Sequence, residues 1–188
     1  MNQAAIANTD QYLTFTLGDE LFAAEISKIR EVLDYPTITK VPRMPSYLLG
    51  VTNLRDNVVP VIDMRQKFGL SSAERTVDTC VVIVETELEG EQITIGCLAD
   101  SVKEVLDLPR DQIEPPPRMG LDLNTDFLKG MGKQGDKFLL ILNMDKVLSS
   151  KELRLVKETA ENPSGDESEA ADGDNSEGSV NQGLPDEL

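Results

Sequence analysis

Residues 53–64, NLRDNVVPVIDM, decide the fold class. Asp56-Asn57 is able to take the positive φ of a tight turn and stands between two apolar arms, which predicts a β-hairpin. The second arm, VVPVID, does not alternate. It is an unbroken apolar run, the pattern of a strand buried on both faces. A similar run, FLLILNM at 138–144, follows 80 residues later. Its surroundings echo the first in order. EVLDYP at 31–36 returns as EVLDLP at 104–109, an offset of 73. Pro42-Arg43-Met44 returns as Pro117-Arg118-Met119 at an offset of 75, and Leu49-Gly50-Val51 as Lys129-Gly130-Met131 at 80. Ordered echoes whose offset drifts with small loop insertions mark an internal repeat. The physical reading is two small β units of similar build, each too small to be stable alone, which must share apolar contacts. The expected fold is mostly β: two packed barrel-like subdomains with short helices.

The flanking sequence fits this plan. QYLTFTL at 11–17 alternates Leu13, Phe15 and Leu17 to one side as a half-buried strand, Gly18-Asp19 supplies a turn, and LFAAEI at 21–26 returns. TCVVIVETELEGEQITIGCLA at 79–99 is a further hairpin with Glu89-Gly90 at or near its tip, and DKFLLILNM at 136–144 a buried strand. ISKIREVL and DSVKEVL suit a helical turn as well as a strand. Crowding of Val and Ile at their ends makes each a short turn followed by a strand. Ser149 and Glu152 form an S-x-x-E capping box before Leu153 and Val156, so the chain should close on a helix at 150–158. The expected limits are a flexible start at 1–10, a body at 11–157 with its second unit roughly at 75–145, and an acidic disordered tail at 159–188.

Composition narrows the function. Aromatic residues are 4% and tryptophan is absent, so the core rests on Val, Ile and Leu. No run of about 18 apolar residues exists to span a membrane. The start, MNQAAIANTDQ, lacks the basic and apolar regions of a secretory signal, which favours a cytoplasmic protein. Cys80 and Cys97 sit in strand-like contexts and read as reduced core thiols. Net charge is −16, and ten acids with no base follow Lys157; taking those ten away leaves −6 for the body. An acidic body repels phosphate backbones and anionic lipid, so neither nucleic acid nor membrane is an expected partner.

A search for chemistry finds none. The chain has no histidine, which removes His-based triads, His-ligated zinc and any phosphohistidine relay. GxxxxGK[ST], GxGxxG and GxSxG are absent. Asp63, Asp100 and Asp107 fall at strand ends, where turn and capping duties account for them. No catalytic residue, metal or cofactor is expected. The rival class is an enzyme with an unrecognised carboxylate site, which a pocket lined by convergent acids would revive.

Residues 27–68, SKIREVLDYPTITKVPRMPSYLLGVTNLRDNVVPVIDMRQKF, resemble the first half of the CheW coupling proteins of bacterial chemotaxis. LADSVKEVLDLP, DQIEPPP, TDFLKGMG and DKFLLILNMDKVL follow in family order, so the resemblance covers about 10–157. It implies two SH3-like five-stranded β subdomains. It also implies a non-enzymatic adaptor that couples the cytoplasmic tips of methyl-accepting chemoreceptors to the histidine kinase CheA in signalling arrays. Such a protein is cytoplasmic, recruited to membrane receptor arrays and monomeric alone. A similar adaptor serving another chemosensory route fits the same residues; a CheV-like protein would need a receiver domain for which the tail is too short.

The resemblance implies sites residue by residue. Arg55 of the NLR motif, Gly50 before it, and Ile29 and Glu31 in the V-x-E pattern face the receptor. Thr39 and Val41, on an exposed apolar edge, and Glu114, Arg118 and Met119 face the kinase and its ring. The repeat makes Val41-Pro-Arg-Met and Pro116-Pro-Arg-Met two related faces for one type of partner. One departure stands beside the motif: Asp56 replaces the family's glycine, where it tolerates the left-handed turn but is placed to neutralise Arg55 in part.

Overall fold

The structure, a computed structural model, describes residues 8–116 and 125–163. Two five-stranded sheets form the body. The first contains β1 (Thr9–Leu17), β2 (Glu20–Glu25), β8 (Ser101–Pro109), β9 (Leu128–Gln134) and β10 (Lys137–Leu142), in the order β8-β1-β2-β10-β9. The second contains β3 (Ile29–Asp34), β4 (Leu48–Leu54), β5 (Asn57–Asp63), β6 (Cys80–Leu88) and β7 (Glu91–Ala99), in the order β3-β6-β7-β5-β4. Helix α1 (Met64–Lys67) follows β5, and α2 (Ser150–Glu161) closes the body.

The repeat has structural substance. β4 and β5 pair Leu48↔Ile62, Gly50↔Val61, Val51↔Pro60, Thr52↔Val59, Asn53↔Val58 and Leu54↔Asn57, with an irregularity between Leu48 and Gly50. β9 and β10 pair in the same register 80 residues on, from Leu142↔Leu128 to Lys137↔Gln134, with their irregularity at the same step. Each unit then closes through one isolated bridge, Thr39↔Val51 in the first and Glu114↔Met131 in the second. Thr39 and Val51 exchange both backbone hydrogen bonds, at 2.8 and 2.9 Å, as do Glu114 and Met131, both at 2.8 Å. Those bonds point Val51 away from β5, so the missing N–H of Pro60 faces the other way. Pairing with β7 begins only at Val61, and the proline leaves no gap in the ladder.

The units do not divide at residue 75 as expected. Hairpin β6–β7 completes the barrel of β3–β5, and β8–β10 complete the barrel begun by β1–β2. Each repeat therefore donates its opening hairpin to the other's barrel. Alternation declares a strand half-buried; it does not say which sheet the strand joins. The ends also differ from expectation. Thr9 and Asp10 already lie in β1, because they pair with Pro109 and Leu108. Helix α2 runs past 158 to Glu161 because Thr159 is buried and its hydroxyl donates to the Leu155 carbonyl at 2.8 Å. DSVKEVL has no leading helical turn, since its strand begins at Ser101. The expected flexibility at 1–7 and disorder at 164–188 lie outside the described residues.

Packing follows from the exchange. The interior of one barrel holds Val59, Val61, Val81 and Ile83, and that of the other Tyr12, Leu21, Ala23, Leu108, Leu139 and Ile141. A larger cluster of 22 buried residues draws on both sheets and α2, and so holds more of the core than either barrel. Within or against it, Phe15, Phe22, Phe68 and Phe127 stack in a row with centroids 6.1, 5.8 and 4.8 Å apart. β5 serves both layers, Val59 and Val61 into its barrel and Ile62 into the shared core, which is why its sequence does not alternate.

Gly50 shows how tightly the closure is made. It is buried at φ 146, and a Cβ there would lie 2.1 Å from the Thr39 carbonyl oxygen. Gly130, its repeat equivalent, would meet the Glu114 carbonyl at 2.8 Å. Gly50→Ala should therefore cost about 3 kcal/mol or more in urea unfolding. Gly18→Ala, with nothing within 4 Å of the added methyl, should cost only the left-handed penalty of about 1 kcal/mol.

Candidate functional site

The hairpin between β4 and β5 turns on Arg55 at φ 49 and Asp56 at φ 66, so both central residues are left-handed, as a two-residue turn matching strand twist requires. The turn sits one residue earlier than Asp56-Asn57; Asn57 belongs to β5 and its Nδ2 donates to the Arg55 carbonyl at 3.2 Å. An arginine in this conformation costs about 1–2 kcal/mol relative to glycine. Its repeat equivalent is Gly135, at φ 60. The first unit thus keeps a strained arginine where the second keeps glycine, a pattern associated with function.

Arg55 turns its guanidinium to Glu31 rather than to the adjoining Asp56. The Arg55 Nη2–Glu31 Oε2 distance is 3.2 Å, with the arginine side chain 80% exposed and the glutamate 26%. Glu31 is held on β3, so one oxygen orients the fork and leaves its other donors facing outward. Around the pair opens a groove of about 660 Å³. Arg30, Leu54, Val58 and Pro60 line it, and Lys157, Ala160 and Glu161 of α2 form one wall. Val58 is 39% exposed, an apolar patch beside the charges. Arg30, Val58 and the α2 wall were not legible as site residues, because only the fold brings them to Arg55.

The other sequence-derived positions divide into groups. Ile29 is half-buried against the shared core, two residues from Glu31 across the β3 irregularity. Gly50 is buried and makes a close backbone approach. Val41 is also buried, at 9% exposure, so it does not supply the exposed apolar edge expected there, whereas Thr39 is exposed. Thr39 and Glu114 are exposed and occupy equivalent bridge positions on the two barrels. Arg118 and Met119 lie outside the described residues. Beside Glu114 a smaller hollow of about 250 Å³ is lined by Leu108, Met131, Lys133 and Phe138. Phe138 is 56% exposed and is the fifth phenylalanine, the one outside the stacked row. Its equivalence to Val58 at the 80-residue offset was the available signal.

The carboxylates singled out earlier have structural duties. Asp63 accepts from the Arg65 N–H at 2.9 Å and caps α1. Asp100 pairs with Arg65 and accepts the Gly18 N–H at 2.6 Å, and Asp107 accepts from Gln11 at 3.0 Å. Burial pushes the Cys97 thiol up to about 12 and raises that of Cys80. Neither thiol is an activated nucleophile. Among the described residues no three His, Cys, Asp or Glu side chains converge as a metal set, and no helix is long and apolar enough to cross a membrane.

A family model described as the CheW-like domain matches residues 11–152. The chemotaxis protein CheW of Klebsiella aerogenes is 36% identical over 150 residues, covering 80% of this chain and 88% of its own. CheW of Helicobacter pylori is 36% identical over 138 residues, covering 73% and 81%. The crystal structure of the scaffolding protein TtCheW from Thermoanaerobacter tengcongensis aligns with a TM-score of 0.67 at 31% identity, over 74% of this chain and 88% of that one.

The α2 wall of the groove is anchored by Glu152. Burial raises its carboxyl pKa, but hydrogen bonds from Lys67 and from the backbone and hydroxyl of Ser149 outweigh burial and hold it below the usual range. A depressed folded pKa contributes stability above the unfolded value that is lost as pH falls through the folded one. Urea midpoints should therefore fall with pH below about 4.3 more steeply in the natural chain than in Glu152→Gln, with the two curves converging in acid.

Proposed function

The chain belongs to the CheW-like family and is a chemotaxis coupling scaffold, and from that premise we propose that its two barrels hold a chemoreceptor tip and a CheA-type kinase at a fixed geometry, with no catalytic step of its own. The observation that carries this reading is Arg55. It is a strained, exposed arginine at a rigid turn, oriented by Glu31 and bordered by the apolar Val58. Such a fork suits carboxylates or carbonyls on a helical hairpin, and a central, desolvated arginine is a common hot spot.

The receptor face comprises Arg55 and Glu31, with Ile29 and Gly50 acting mainly by fixing β3 and β4 beneath them. The kinase and ring faces lie at the two bridge positions. Thr39 next to Val41 serves one barrel; Glu114, with Arg118 and Met119, serves the other. Equivalent backbone geometry at Thr39 and Glu114 supports two related faces that engage similar folds in alternation, a head-to-tail arrangement able to close rings or extend lattices. Recruitment to membrane arrays follows from the receptor contact; among the described residues no helix is long and apolar enough to cross a membrane.

Co-sedimentation with receptor signalling fragments and a CheA regulatory domain tests the assignment. Arg55→Glu should weaken receptor association by about 30-fold or more with an unchanged circular dichroism spectrum. Arg118→Glu should impair ring assembly with the kinase while receptor association stays near normal. Undiminished receptor binding by Arg55→Glu would remove the receptor site, and equal loss of both activities in Arg118→Glu would remove the two-face arrangement.

A further inference from the structure

We propose that the acidic C-terminal segment, residues 164–188, docks in the Arg55 groove and competes there with the groove's partner. The wall that brings the segment to this place is the last part of α2. The family match stops at residue 152, yet α2 continues to Glu161, and its last turns supply Lys157, Ala160 and Glu161 to the groove. Asn162 leaves helical geometry at φ −130 and ψ 71, so the chain departs from the rim of the groove itself.

Reach and charge both favour this occupant. A random-coil tether of the length that separates Asn162 from Leu188 has a root-mean-square span of about 30 Å, and a tether that short holds its end at roughly millimolar effective concentration. The rest of the chain carries −8, since −16 less the segment's eight acids leaves −8, but the groove gathers Arg30, Arg55 and Lys157 against the carboxylates of Glu31 and Glu161. The segment 164–188 carries eight carboxylates and no base, and ends with Val180, Leu184 and Leu188 among them. Acid and apolar groups thus face a groove whose three cations are interleaved with carboxylates, beside the apolar Val58 and Leu54. The cations have partners: Arg30 with Glu85 at 3.0 Å, Arg55 with Glu31 at 3.2 Å, and Lys157 with Glu91 at 2.6 Å and Glu161 at 3.9 Å. At least one side chain of each pair is more than half exposed, and such pairs contribute at most about 1 kcal/mol, so an incoming carboxylate can displace or share them.

Docking stands on the groove and the sequence; that it weakens receptor binding rests on the reading of the preceding subsection, and two measurements separate them. Cys80 and Cys97 are buried, so a nitroxide attached to Ser179→Cys in the full chain reacts at one site. Docking predicts paramagnetic broadening of the Arg30, Arg55 and Thr94 amides well beyond that of Gln112 and Lys133 on the other barrel. It should vanish in about 0.5 M salt, where screening is short-ranged, and when all eight carboxylates between 166 and 187 are changed to their amides. Equal or absent broadening at the two barrels would overturn docking. The neutralised chain should also bind a receptor signalling fragment about 2–5-fold more tightly than the natural chain. Unchanged affinity alongside the broadening would overturn competition. Broadening with no receptor binding by either chain would leave docking standing and count against the receptor reading alone.

Discussion

The core shared between the two barrels is the constraint on which everything else rests. A five-stranded barrel of this size encloses only a handful of side chains, such as Val59, Val61, Val81 and Ile83 in one and Leu139 and Ile141 in the other. The outer faces of the same strands, Leu13, Phe15 and Phe22 against Ile62, Val82 and Val84, would be exposed in an isolated barrel. Burying them against each other supplies the larger part of the apolar stabilisation. With few aromatic residues available, the chain places four of its five phenylalanines in one stacked row in this layer.

Exchange of opening hairpins makes the constraint topological as well as energetic. Because β1–β2 complete the barrel of β8–β10, and β6–β7 that of β3–β5, neither repeat closes a barrel without the other. A molecule tied in this way has little freedom to change the angle between its barrels. That is the property a coupling scaffold needs, since its output is the relative placement of what it binds. The proposed binding positions sit where a rigid frame exposes backbone turns and edges: Arg55 on a hairpin tip, and Thr39 and Glu114 at the two closing bridges. The left-handed arginine is tolerated because the flanking β4–β5 ladder over-determines its turn.

The repeat, the hairpins and the capping box were legible because each is a local pattern. The 80-residue echo reappears as identical registers in β4–β5 and β9–β10. Ser149 and Glu152 satisfy each other's backbone amides as their spacing requires. Exchange of hairpins was not legible, since period-two alternation carries no information on the neighbouring strand. Nor was β9 read as a strand on its own, because LKGMGKQ has two glycines and no β-branched residue; one of those glycines is needed for the close approach to Glu114. At the candidate site, family likeness points to Arg55 and Glu31, whereas Arg30, Val58 and the end of α2 join them only through the tertiary fold. Val41 was misplaced as exposed because its sequence neighbourhood, rich in prolines and charges, gives no apolar period to follow.

Native-state hydrogen exchange tests the central claim, that both barrels belong to one cooperative body. The deepest amides of each interior, those of Val61 and Ile83 in one barrel and Leu139 and Ile141 in the other, should exchange through the same global opening. Their opening free energies should agree and fall in parallel with added denaturant. An opening that releases one barrel's amides while the other's stay protected would contradict a shared core as the source of the fixed geometry.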